Sequence, residues 1–236
     1  MKHQHTIAAA AVGLVGLLTF AGTASAARPA SAARPAIDLS VAKAKCDAAV
    51  TERMVEITKL TTRSNAAKHL SAGHLASIGS TLSSTKSGLT ALQTKLDADT
   101  DAATLKADCA DIATGYRVFA LRAPQVHLSI VGDRQSAILA KGNNAATKLE
   151  TAIQKAAANN KDVTDATAKL ADMKAKLADA TAKLNGVVDS VLAVTPDQWN
   201  ANHSVLAGSL QALRAAQADL KAAFADARTI IADLKA

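Results

Sequence analysis

The side chains able to do chemistry are few in this sequence, and they are widely spaced. Beyond position 26 the chain holds two cysteines, Cys46 and Cys109, and the histidines His69, His74, His127 and His203. His69 and His74 are five apart and fall on different faces of any helix, so they form no helical metal pair. No HExxH, paired CxxC or glycine-rich phosphate loop occurs. Ser83-Ser84-Thr85-Lys86 has the SxxK spacing that sets Lys beside a nucleophilic Ser in penicillin-binding enzymes. Its SDN and KTG companions are missing, and it lies mid-helix on a Ser/Thr-rich face. The acids are spaced like solvated Asp on helix crests, not as the converging pair that glycoside hydrolysis needs. The expectation is a non-enzymatic protein with no catalytic residues, no metal ligands and no cofactor.

A second pattern concerns charge. His127, Arg134, Lys141, Lys148 and Lys155 recur every seven residues, which lines them up beside the seam of one helix. Lys169, Lys176 and Lys183 repeat the pattern, as do Arg214, Lys221, Arg228 and Lys235. Asp165, Asp172, Asp179, Asp219, Asp226 and Asp233 are expected to point outward. Long basic stems in this position cover the edge of an Ala-rich core. The same lines can serve as rails for a linear polyanion, or as flank charges that choose a partner helix.

A third pattern is the stretch GYRVFALRAPQVHLSIVGDR, residues 115–134, with the only Tyr and two Arg near a Phe and a Pro. Tyr116 and Phe119 continue the spacing of Leu105, Cys109 and Ile112, which places them in the core. Arg117 and Arg122 are five apart and do not share one straight face. With Asp133 and Arg134 they could lock a corner by ion pairs, or line a contact for a ligand or partner.

These groups must be positioned by helices. Aromatics make up 2% of the chain and no window alternates β-branched residues, so the class is all-α. The spacing predicts an antiparallel, elongated bundle of about six long helices with coiled-coil-like seams, kinked near Pro124. The first starts at Asp38, a good N-cap, with Cys46, Val50, Met54, Ile57 and Leu60 inward. The second starts near Ser71, and Leu75, Ile78, Leu82, Thr85, Leu89, Leu92 and Leu96 form a heptad seam. Asp97 to Asp101 connect it to the third. Pro124 removes a hydrogen bond and either kinks the chain or sits in the first turn of the fourth helix. The fifth carries the repeat ATAKLAD-MKAKLAD-ATAKLNG, and Val187 extends its seam. Thr195-Pro196-Asp197-Gln198 reads as a capping box that opens the sixth, from Trp199 to Leu234. Short loops make neighbours antiparallel. The expected division is a three-helix bundle at 38–122 and a second at 124–236.

Cys46 and Cys109 each lie eight residues into a helix counted from Asp38 and Asp101. In an up-down-up bundle the first and third helices start at one end, so the two sulfurs face each other at one height. A disulfide is expected.

The address comes from the ends of the composition. Lys2, an apolar run from Ile7 to Phe20 and Ala24-Ser25-Ala26 form a secretory signal peptide at 1–26. Residues 27–37 form a linker that holds most of a doubled SAARPA, expected to be extended. No later segment is apolar enough to span a bilayer. The net charge of +7 is spread along the chain rather than clustered, and the aromatics are too few for stacking, so nucleic acid is not the expected partner.

The signal peptide, KAKCDAAVTERMVEITKL, DADTDAATLKADC and GYRVFALRAPQVHLSIVGDR together resemble a family of uncharacterised secreted helical proteins of actinobacteria. The similarity covers roughly 40–236 and is most specific at 97–134. It implies an all-α, coiled-coil-rich exported protein and no particular activity. The reading that follows is a secreted protein, extracellular or cell-wall associated, that binds or scaffolds in the envelope or medium. Its expected partner is an anionic cell-wall polymer or another helical protein. The alternative is a small-molecule or lipid carrier using a cleft between the bundles near Tyr116. An unrecognised hydrolase is the third class.

Overall fold

The structure, a computed structural model, describes residues 38–235. The signal peptide and the SAARPA repeat lie outside the described residues. The fold is an all-α bundle, with no strand among the described residues.

Four helix starts follow the capping chemistry read from the sequence. Asp38 accepts from the Ser40 and Val41 N–H groups and opens α1, Leu39–Asn65. Ser71 accepts from the His74 N–H and opens α2, Ala72–Ala98. Asp101 accepts from the Ala103 and Thr104 N–H groups at the start of α3, Ala102–Thr114. Each cap satisfies orphan N–H donors at the start of its helix.

The third helix stops at Thr114, well short of Pro124. Arg117 adopts a left-handed φ of 46°, which ends α-helical bonding. A π-helical turn, Val118–Arg122, then runs directly into α4, Ala123–Ala158. Pro124 lies in the first turn of α4, so the break between the third and fourth helices is at Gly115–Arg117 and not at the proline. Pro124 brings no N–H, and the wider i→i−5 turn just before it is where the helix absorbs the missing bond.

Two more seams break where periodicity predicts continuity. α5, Thr164–Leu184, ends at Asn185-Gly186, with Gly186 at φ 64°. Only glycine adopts that conformation freely. Val187 therefore begins a separate short helix, α6 (Val187–Leu192), instead of extending the α5 seam. The capping box forms as read: Thr195 and Gln198 exchange their side-chain bonds with Pro196 in the first turn. It opens only α7, Pro196–Ala201. Asn202 is extended, and its Oδ1 accepts the Ser204 N–H at 2.9 Å. This local bond competes with helix continuation. The long final helix, α8, is Ala207–Lys235.

Residues 38–235 belong to one compact body with two hydrophobic clusters. The first joins Val50, Ile57 and Leu60 of α1 to Leu82, Leu89 and Leu96 of α2 and to Leu105 and Ile112 of α3. The second joins Leu149 and Ile153 of α4 to Met173 and Leu177 of α5 and to Leu213, Leu220 and Ile230 of α8. The clusters do not divide cleanly at 122/124. Val126 of α4 packs into the first, Leu121 and Leu128 into the second, and Leu192 touches both.

Cys46 and Cys109 form a disulfide between α1 and α3, with Cα atoms 5.6 Å apart. It closes a loop with a sequence separation of 63 residues.

Candidate functional site

The basic line of α4 runs along an exposed strip of that helix, flanked by buried residues. His127, Arg134, Lys141, Lys148 and Lys155 are all exposed, while Gln125, Ser129, Gly132, Ala146 and Ile153 are buried. The line begins at His127, whose Nδ1 accepts a hydrogen bond from the Arg63 guanidinium at 3.2 Å. Among the described residues, no acid lies within ion-pair distance of Arg134, Lys141, Lys148 or Lys155.

The line on α5 has a different fate. Lys176 pairs with Asp226 at 2.5 Å, and Lys183 pairs with Asp219. Lys169 sits 3.6 Å from Asp172. Asp226 is only 7% exposed, so Asp219 and Asp226 turn toward α5 and not outward as their spacing implied. The reason is the close packing of α5 on α8, which sets Lys and Asp opposite each other at seam-flanking positions. The hydrogen bond from Lys176 to Asp226 holds its ammonium above the ordinary Lys value. The α5 cations are therefore neutralised within the bundle.

The α8 line, Arg214, Lys221, Arg228 and Lys235, is exposed like that of α4. The two lines converge on the groove between these helices. One stretch of the groove has a volume of about 600 Å³ and is lined by Arg134, Lys221 and Arg228 over Val131, Ile138 and Phe224. The next stretch, about 440 Å³, shares Phe224 and Arg228 and adds Lys148, Leu149 and Ile231. No acidic residue lines either stretch.

The corner residues have structural partners. Tyr116 is half-buried against the first cluster, and its ring occupies the space left by Gly88, where a Cβ would lie 2.5 Å from it. Burial, with the Asp111 charge, raises its hydroxyl above the ordinary Tyr value. Phe119 is not in the core. It is 49% exposed, with the Arg53 guanidinium 5.4 Å above its ring, a cation–π contact. The π turn rotates it away from the α3 stripe it was expected to continue. Arg117 Nε donates to Asn200 Oδ1 at 2.5 Å, and Asn200 Nδ2 donates to the Thr114 carbonyl at 3.0 Å. The α7 side chain thereby closes the end of α3. Arg122 donates to Gln125 Oε1, and Gln125 Nε2 donates to the Val191 carbonyl in the last turn of α6 and to the Val194 carbonyl just after it. Neither Arg117 nor Arg122 pairs with Asp133.

Asp133 has another partner, one that sequence reasoning missed. His74 Nδ1 lies 2.9 Å from both Asp133 carboxylate oxygens, and His74 Nε2 is 3.2 Å from Asp189 Oδ1. The Ser71 N–H donates to Asp133 Oδ2 at 2.6 Å. Burial pulls the His74 value down, but the Asp133 and Asp189 carboxylates outweigh it and leave the imidazole above the ordinary His value. This triad joins α2, α4 and α6. No periodicity signals it, because its members are 59 and 115 residues apart.

No family model, curated protein or solved structure matches the chain. No group of His, Cys, Asp and Glu among the described residues could hold a metal ion.

Proposed function

We propose that the protein is a secreted, non-enzymatic binding protein of the bacterial cell envelope, held to anionic envelope polymers through the exposed cations of α4. The observation that carries this reading is the contrast between helices. Lys176 and Lys183 of α5 are paired with Asp226 and Asp219, whereas Arg134, Lys141, Lys148 and Lys155 are exposed with no acid within ion-pair distance among the described residues. The address rests on the leader sequence and the resemblance to exported actinobacterial proteins, and the Cys46–Cys109 disulfide agrees with an oxidising compartment. No helix among the described residues is long and apolar enough to cross a membrane.

A carrier cleft where the two clusters meet has less support. The space lined by Arg122, Val126 and Leu192 measures about 10 Å³, whereas small-molecule sites occupy roughly 300–1,000 Å³.

Cosedimentation with purified cell envelope is the direct test. Binding should be strong at low ionic strength and fall steeply with added salt, because the screening length shrinks from about 10 Å at 0.1 M to about 3 Å at 1 M. Changing Arg134, Lys141 and Lys148 together to Gln should lower the bound fraction with helicity unchanged. A wild-type protein that stays in the supernatant at low salt would end this reading.

A further inference from the structure

The groove between α4 and α8 differs from a simple rail in one respect: its floor is apolar. Ile138, Leu149, Leu220, Phe224 and Ile231 line it along with the cations. Ile231, a large aliphatic side chain, is left 44% exposed there. A linear hydrophilic polyanion would satisfy the cations and leave that floor wet. We propose that the groove binds a single-chain anionic amphiphile, an acyl or alkyl chain ending in a phosphate. The proposal rests on the envelope-binding reading only in placing the protein where such molecules occur.

The groove has a polarity that sets the direction of the ligand. Arg134, Lys221, Arg228 and the Gln217 amide gather in the first stretch. The second stretch is walled by Ala145, Leu149, Phe224, Ala227 and Ile231, with Lys148 and Arg228 at its margin. The phosphate therefore sits between Arg134 and Lys221, and the chain runs along Phe224 toward Ile231. From Lys221 to Ile231 the α8 backbone rises about 15 Å at 1.5 Å per residue, enough length for a long chain. Arg guanidinium and Lys ammonium suit a phosphate head, the former by paired N–H bonds.

Charge argues against two other occupants. A second copy would bring the same cations against this face, and the chain's own SAARPA arm carries Arg28 and Arg34, of like sign.

Calorimetry on the mature chain, with ligands kept below their micelle concentrations, decides the matter. The probes are dodecyl phosphate, tetradecyl phosphate, dodecyl maltoside and polyphosphate. Dodecyl phosphate should bind at one site. Tetradecyl phosphate should bind about fifteen-fold tighter, since each buried methylene contributes roughly a factor of four. Arg134→Gln with Lys221→Gln should weaken dodecyl phosphate about ten-fold or more, the loss expected for charge-assisted bonds. Ile231→Asp, at an exposed position that leaves the core intact, should weaken it as well. Equal binding of the uncharged maltoside, or no effect of either variant, overturns the proposal. Binding of polyphosphate without dodecyl phosphate also overturns it, while leaving the envelope-polymer reading standing. Sedimentation showing a dimer that buries this face overturns it too. Dodecyl phosphate binding without envelope binding supports the groove and removes the polymer reading.

Discussion

Arg117 is the residue at which α-helical bonding beyond the third helix ends, and it does so in a conformation that costs an L-residue energy. At φ 46° it sits in the left-handed region, which is about 1–2 kcal/mol unfavourable for a residue with a Cβ. Its bond to Asn200, together with the bond from Asn200 to the Thr114 carbonyl, offsets part of that cost. The two effects separate on substitution. Arg117→Gly removes the strain and the hydrogen bond together, so stability should change by less than about 1 kcal/mol. Arg117→Val keeps a side chain, adds β-branching and loses the bond. It should destabilise by about 2 kcal/mol or more. Urea denaturation of both variants measures the difference, and equal losses would mean that the turn is set by packing alone. The same residue shows why Phe119 was misplaced. A left-handed residue followed by a π turn rotates every later side chain off the stripe, and nothing in the i, i+3, i+4 pattern of Leu105, Cys109 and Ile112 records that rotation.

At the scale of elements, the helices whose starts carry Asp, Ser or Thr caps were legible to within a residue or two, because capping is local chemistry. The ends were less so. α5 stops at Gly186 and the final helix divides at Asn202, both in segments whose apolar spacing runs on unbroken. The seams of the long helices survive where cores form: Leu82, Leu89, Leu96 and Leu170, Met173, Leu177 are buried as their spacing implies. The pairing of Cys46 with Cys109 was legible for a physical reason: equal depth in two helices that start at the same end fixes equal height. Its contribution can be measured. The closed loop constrains the unfolded chain, and the loop-entropy estimate is about 4 kcal/mol. Reduction, or paired Cys46→Ser and Cys109→Ser, should lower unfolding free energy by up to this amount with helix content retained. Thiol labelling of the denatured, unreduced protein should find no reactive sulfur. Two labelled thiols would show that the bond is not formed in the protein.

At the scale of the whole molecule, the junction between the clusters is where the sequence was least informative. Ion pairs from Arg117 and Arg122 were expected there; the pair that forms is His74 with Asp133. It joins the start of α2, below the first cluster, to the length of α4 that enters the second. Asp133 is buried and also accepts from the N–H of Ser71, the N-cap residue of α2. Asp189 is largely exposed, so solvent screens its share. Because the folded state raises the His74 value above its ordinary 6.5, the folded protein binds the proton more tightly than the unfolded chain does. The stabilisation is therefore fully present below about pH 6.5 and is lost as pH rises through the raised value. Unfolding free energy should fall as pH rises from about 6.5 through the raised value, and His74→Gln should flatten that slope. Asp133→Asn keeps a polar group for the Ser71 N–H but removes the charge. It should cost about 1.5–3 kcal/mol at pH 6 and less at pH 8.5. Chemical denaturation at several pH values, followed by helicity, gives all three numbers. If the wild type and His74→Gln keep parallel curves across this range, the histidine does not couple protonation to the joining of the two clusters.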